Sequence, residues 1–200
     1  MVENITGLVL AGGRGTRMGG LDKGLVLLDG RPMVEHVVLR LRPQVADIVI
    51  SANRNQERYA KFGHRVVTDT LDGYLGPLAG IASCLDTIAT EYAVTVPCDS
   101  PLIRDDLVTT LWAALQRDRT DLAVAHDGWR LQPAFMLLRR QLLPDLVDSL
   151  GQGELQVEKW IGRHKCARAR FRGHADSFAN VNDPNERHLV ESQLRDQRLS

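Results

Sequence analysis

Residues 5–24 read ITGLVLAGGRGTRMGGLDKG. The run from Ile5 to Leu10 is short, apolar and rich in β-branched residues, the pattern of a buried strand. Gly12, Gly13, Gly15, Gly19 and Gly20 follow, interleaved with Arg14, Arg17 and then Lys23. A glycine-rich backbone approaches a ligand closely and can turn several N–H groups inward together. Three cations on such a loop suit a polyphosphate. Two familiar phosphate loops fail to fit. A P-loop needs Gly-Lys followed by Ser or Thr, whereas Lys23 sits between Asp22 and Gly24. The dinucleotide pattern Gly-x-Gly-x-x-Gly breaks at Met18. On glycine content alone, an ordinary strand-to-helix turn with solvated cations remains open.

Working outward, strand and helix signals alternate, which is the α/β pattern. Residues 24–28 suggest a brief extended piece. A stripe from Met33 to about Arg42 follows Pro32, a tolerated first-turn proline, and stops at Pro43. Strands are expected at 47–51, 65–68, 92–96 and 121–125, with helices at 55–62, 78–89 and 104–117. Asp127-Gly128 is a hairpin signal, so 132–138 should pair antiparallel with 121–125. Further helices are expected at 139–150 and 154–161, a last strand at 167–171, and a final helix opening at Asp183-Pro184. The tail from about 193 to 200 should be frayed. No repeats or linkers divide the chain, so residues 1–200 read as one domain. The expected fold is a Rossmann-like three-layer αβα sandwich, its sheet mostly parallel with one antiparallel strand.

Two hundred residues suffice for a substantial core. Lys plus Arg and Asp plus Glu are 25 each, which argues against a nucleic-acid partner. Cys84, Cys98 and Cys166 are dispersed, an unpaired set that suits a reducing compartment. There is no signal core at the start and no run long enough to span a bilayer. A cytoplasmic protein without membrane attachment is expected.

In open sheets, ligands sit beyond the carboxyl ends of the strands. Four loops meet that rule: residue 11 onward, 51–53, Asp69, and Cys98-Asp99. Asp99, in Pro97-Cys98-Asp99-Ser100-Pro101, suits a hard cation bridging to phosphate, or equally a helix N-cap. Asp69 and Asn53 read alone as turn residues. Asn180 and Asn182 alternate on one side of an extended segment before Asp183-Pro184, which by itself is a capping loop. The six histidines show no ligand spacing, and Trp112, Trp129 and Trp160 read as packing residues.

Leu10-Ala11-Gly12-Gly13, Arg17-Met18-Gly19 and Asp22-Lys23 together resemble the signature loop of nucleotidyltransferases that join an NTP to a phosphate. The ending Gly19-Gly20-x-Asp22-Lys23-Gly24 is similar to that of the molybdenum cofactor guanylyltransferase (MobA) family. The likeness runs to Asn182. It implies GMP transfer from GTP to molybdopterin, with Mg²⁺, or Mn²⁺ in its place, held by Asp99. By the same likeness Arg17, Lys23 and Asp99 are catalytic. GTP is touched by Leu10, Ala11, Gly12, Gly13, Lys23, Ser51, Asn53, Asp69, Gly76, Gly80 and Asp99, and the pterin by Asn180 and Asn182. Transient contacts with molybdenum-insertion proteins and recipient molybdoenzymes are also implied. Two departures stand out. Ser51 replaces an asparagine usual in the family, losing an amide's paired donor and acceptor. Leu155-Gln156 follows Gly153-Glu154 where arginines are common, leaving Lys159 or Arg163 as substitutes. A CTP-using relative, another phosphate acceptor, and a non-catalytic nucleotide-binding regulator are the alternatives.

Overall fold

In the computed structural model, which describes residues 2–12, 22–70, 76–171, 175–181 and 184–199, nine strands alternate with seven α-helices. The strands are β1 (Ile5–Leu10), β2 (Leu27–Leu28), β3 (Arg31–Pro32), β4 (Asp47–Ser51), β5 (Arg65–Val67), β6 (Tyr92–Pro97), β7 (Leu122–His126), β8 (Leu131–Arg139) and β9 (Cys166–Arg170). The helices are α1 (Met33–Leu41), α2 (Gln56–Ala60), α3 (Pro77–Thr87), α4 (Leu107–Asp118), α5 (Leu143–Gly151), α6 (Val157–Gly162) and α7 (Pro184–Leu199). Gly13, Arg17 and Asn182 lie outside the described residues, as do Arg14, Gly15, Gly19, Gly20, Gly73 and Asp183.

The main sheet has the order β5-β4-β1-β6-β8-β7-β9, and β2 pairs with β3 in a small separate ribbon. β8 runs antiparallel to both β6 and β7, while every other pairing in the main sheet is parallel. The expected mostly parallel sheet with one antiparallel strand is therefore found. Two-residue alternation sorts the side chains into two apolar layers. Ile5, Val9, Ile48, Ile50, Val94 and Val96 face α1 and α4. Leu8, Val49, Ala93 and Val124 face α3, α5 and α6. Helices thus cover both faces, as strands buried on two sides require.

After β1 the chain adds β4 and β5 on one side, then crosses β1 to place β6 on the other. That reversal creates a crevice at the carboxyl ends of β1 and β6, where open α/β sheets bind ligands.

Several expected boundaries shift, and two of the shifts have a visible cause. α4 begins at Leu107 rather than Arg104, because Arg104 grips Asp106 through two contacts of 2.6 and 2.7 Å in the turn before the helix. β8 keeps Arg139, whose backbone N–H donates to Asp121 and whose guanidinium pairs with Asp121 and Glu91, so α5 starts only at Leu143. Beyond about residue 193, where fraying is expected, the chain is helical. α7 continues to Leu199, Leu194 is buried with Leu28, Met33, Leu102, Val181 and Val190, and Arg195 pairs with Asp29 at 3.3 Å.

Trp160 is fully buried, its indole N–H donating to Asp145, and Trp112 packs edge-on against Tyr92. Trp129 departs from the expectation of a packing residue. It is 90% exposed, because it sits at the tip of the β7–β8 turn, outside both apolar layers. No helix among the described residues is long and apolar enough to cross a membrane.

Candidate active site

The loops expected to converge do so. The Ala11 N–H donates to the Ser51 carbonyl at 2.8 Å, the Ala52 N–H to Val67 at 2.9 Å, and the Cys98 N–H to Leu10 at 3.0 Å. The parallel ladder thus extends one residue past each strand and fixes where the loops leave the sheet. A cleft of about 740 Å³ opens above this edge. Leu10, Gly12, Ser51, Asp69, Gly76 and Gly80 line one side of it, and Gln132, Pro133, Ala134, Phe135 and Asn180 the other. Gln156, Val157 and Glu158, between α5 and the first turn of α6, complete the wall.

On the first side, the Asp69 carboxylate is the notable polar group. Oδ2 accepts the Asn53 side-chain N–H at 2.7 Å, and the Asp69 backbone N–H donates to Asn53 Oδ1 at 2.9 Å. Asn53 therefore holds Asp69 in place and does not itself line the cleft. Asp69 Oδ1 is buried with no partner among the described residues. A buried, unmade hydrogen bond is costly, and a ligand donor would relieve it. Gly80 explains how this corner stays open. A Cβ there would stand 2.6 Å from Ser51 Oγ and 3.4 Å from Asp69 Oδ1. Ala11, in contrast, is buried in the apolar layer and does not line the cleft.

Lys23 and Asp99 do not themselves line the cleft; Asp99 adjoins residues that do, and Lys23 is paired with it. Lys23 Nζ lies 3.1 Å from Asp99 Oδ2, with both side chains mostly buried. Asp99 follows the lining residue Pro97 by two positions, and its carbonyl accepts the N–H of Val181, next to the lining residue Asn180. Ser100 is fully buried and donates to Asn180 Oδ1 at 2.7 Å, which orients that amide. The helix N-cap alternative for Asp99 is set aside, since Asp106 precedes α4. Cys98, which precedes Asp99, is buried. Burial, and then the Asp99 charge, push its thiol well above the ordinary range.

One feature of the Lys23 turn has no counterpart in the sequence motif. Tyr59, fully buried on α2, donates its hydroxyl to Asp22 Oδ1 at 2.5 Å, and Asn55 donates to Asp22 Oδ2 at 2.9 Å. Gly24 packs so tightly that a Cβ would fall 2.5 Å from the Tyr59 hydroxyl and 3.2 Å from Cys98 Sγ. The residues on either side of Lys23 are therefore both fixed by one tyrosine. A tyrosine in a polar helix gives no local hint of this, because its partners lie 37 residues away. Residues 132–138 are expected as a plain strand; Pro133 inside that pattern is the local signal that could have marked the irregular wall at Gln132–Phe135.

Lys159 and Arg163, the substitutes considered for the missing arginines, line a separate depression of about 430 Å³. Arg163 donates to Ser149 Oγ and faces Asp145, while Lys159 stands 4.0 Å from Glu154. Neither lines the main cleft. Among the described residues, no three His, Cys, Asp or Glu side chains gather closely enough to hold a metal by themselves.

Comparison with known proteins joins this geometry to a family. Residues 7–168 match the model of the MobA-like NTP transferase domain. A molybdenum cofactor guanylyltransferase of Shewanella sediminis is 45% identical over 187 residues, covering 94% of this chain and 95% of the relative. Another, from Shewanella sp. MR-4, is 44% identical over 194 residues, covering 97% and 98%. The structure of molybdopterin-guanine dinucleotide biosynthesis protein A from Archaeoglobus fulgidus superposes with a TM-score of 0.76 over 96% of this chain and 99% of that one. A 4-diphosphocytidyl-2C-methyl-D-erythritol synthase from Anaerococcus prevotii gives 0.75 over 96% of each chain. At 20% and 12% identity these two likenesses speak for the fold alone. The extent and identity of the sequence matches decide the rest: the chain belongs to the MobA-like NTP transferase family, in its molybdenum cofactor guanylyltransferase branch.

Proposed function

We propose that this chain transfers GMP from GTP to the terminal phosphate of molybdopterin, forming the guanine dinucleotide and releasing pyrophosphate. The observation that carries the reading is the Lys23–Asp99 pair, placed where β1 and β6 diverge and adjoining residues that line a cleft with two unlike sides. In the reaction an acceptor phosphate oxygen bonds to the α-phosphorus of GTP while the bond from that phosphorus to the bridging β-phosphate oxygen breaks. Two anions must meet and a third leaves, so positioning and positive charge matter more than proton transfer.

The chain's own groups divide the work. Gly12, Ser51, Asp69, Gly76 and Gly80 hold the nucleoside, with the unpartnered Asp69 oxygen facing a base or ribose donor. Asn53 keeps Asp69 aimed. Lys23 neutralises the reacting phosphates, and Arg17 and Gly13, on the sequence pattern, act beside it. Asn180, oriented by Ser100, and Asn182 serve the pterin. A lone carboxylate such as Asp99 suits Mg²⁺, which keeps several waters and takes its other ligands from phosphates. Mn²⁺ would accept the same donors. When bound, that ion supplies charge neutralisation on the triphosphate. Cytoplasm is the proposed place of work, with molybdenum-insertion proteins and recipient molybdoenzymes as passing partners.

The test is pyrophosphate release from purified protein with Mg²⁺, molybdopterin and each of GTP, CTP, ATP and UTP. Release with GTP that requires the pterin supports the reading. Release chiefly with CTP would replace guanylyl by cytidylyl transfer, and no release with any nucleotide would leave a nucleotide-binding regulator.

A further inference from the structure

We propose that Gln132 reads the heterocycle of the acceptor and that Asp127 is the residue that positions it; this deepens the guanylyltransferase reading and rests on it. β8 runs beside β6 only as far as the pairing of Val94 with Leu137. Its register against β7 then jumps, with Val124 opposite Met136 but Ala125 opposite Gln132. Pro133, Ala134 and Phe135 are the surplus, and Pro133 has no N–H to give a ladder. Thr95 bridges the break, donating its hydroxyl to the Ala134 carbonyl at 2.8 Å and accepting the Met136 N–H at 3.2 Å. Bulges of this kind re-aim side chains. This one places Gln132 in the cleft wall, on the β8 side of the Lys23–Asp99 pair, whereas Asp69 follows β5 on the opposite side.

The orientation of the Gln132 amide follows from its neighbour. Asp127, 8% exposed, accepts the Gln132 side-chain N–H at 2.6 Å through Oδ2, and the Trp129 and Arg130 backbone N–H groups at 2.7 and 2.9 Å through Oδ1. Burial works against its ionisation, but these donors outweigh it and hold the carboxyl below its ordinary range. A carboxylate only accepts, so the amide nitrogen must face Asp127 and the carbonyl oxygen must face away. Gln132 is thereby a fixed acceptor in the half of the cleft opposite Asp69. The matching ligand chemistry is a planar heterocycle whose edge carries adjacent amino and ring N–H donors; pterin and guanine share that edge, and the place of Gln132 opposite Asp69 is what assigns it to the acceptor.

The experiment measures KM for molybdopterin and for GTP, and kcat, in the unaltered enzyme and in Gln132→Leu, Asp127→Asn and Trp129→Ala, with thermal unfolding as a check on folding. Gln132→Leu keeps the bulk and loses the acceptor, so KM for the pterin should rise roughly tenfold with KM for GTP and kcat held. Asp127→Asn, which can accept or donate, should raise the same KM less, and Trp129→Ala should change neither KM. An unchanged pterin KM in Gln132→Leu, equal shifts in both KM values, or a pterin effect in Trp129→Ala would overturn the assignment while leaving the reaction intact. No pterin-dependent release by the unaltered enzyme would overturn the guanylyltransferase reading, and this assignment with it.

Discussion

Lys23 and Asp99 are 76 residues apart, yet their charged atoms meet at 3.1 Å beside the cleft. A bound triphosphate would exchange this ion pair for phosphate contacts, so the pair keeps both groups ordered until substrate arrives. Lys23→Ala should lower turnover about 10²–10³-fold at saturating Mg²⁺–GTP, the usual loss when a group aimed at developing charge is removed. Near-native pyrophosphate release would contradict that role. Gly80 is the complementary case, where function needs empty space. A methyl group 2.6 Å from Ser51 Oγ must displace a buried side chain, so Gly80→Ala should cost about 1–3 kcal/mol of stability and raise KM for GTP. Denaturant unfolding and steady-state kinetics check the two halves. Both residues were legible in the sequence because glycine and lysine in a fixed motif announce themselves. The relation of Asn53 to Asp69 was not, since a reciprocal amide–carboxylate contact depends on the parallel pairing of β4 with β5.

Elements were read well where the pattern is local. β1 follows from its short apolar, β-branched run, the β7–β8 hairpin from the Asp127-Gly128 turn, and α1 from its stripe after Pro32. What escaped depends on distant partners. The bulge in β8 needs Thr95 on β6, and the Lys23 turn needs Tyr59 on α2. The turn carries a specific expectation. Tyr59→Phe keeps the buried ring but removes the donor to the Asp22 carboxylate, a bond to a charged group worth about 1.5–3 kcal/mol. Stability should fall by that order, and kcat should fall as well, because the loosened turn carries Lys23. Full turnover with reduced stability would limit Tyr59 to packing.

At the scale of the whole molecule, strand order separates the tasks. β4 and β5 lie on one side of β1 and bring Ser51 and Asp69. β6 and β8 lie on the other and bring Asp99 and Gln132, with Lys23 paired to Asp99. The alternation of strands and helices made the α/β class readable, and the hairpin signal foretold the antiparallel strand. The position of β8 between β6 and β7 was not readable, because nothing local tells a strand which neighbour to choose. With one carboxylate at the centre and no three-ligand cluster among the described residues, Mg²⁺ should bind weakly to the protein alone and tightly only with GTP. Calorimetric titration with and without nucleotide distinguishes this from a preformed metal site.

The division of the cleft is tested most directly by a crystal structure with Mg²⁺ and a GTP analogue that cannot be cleaved at the α–β bridge. The guanosine should lie against Ser51, Asp69 and Gly80, the α-phosphate beside Lys23 and Asp99, and the Gln132 side should remain open for the acceptor. A nucleoside seated against Gln132 and Asn180, with its phosphates turned away from Lys23, would contradict that division.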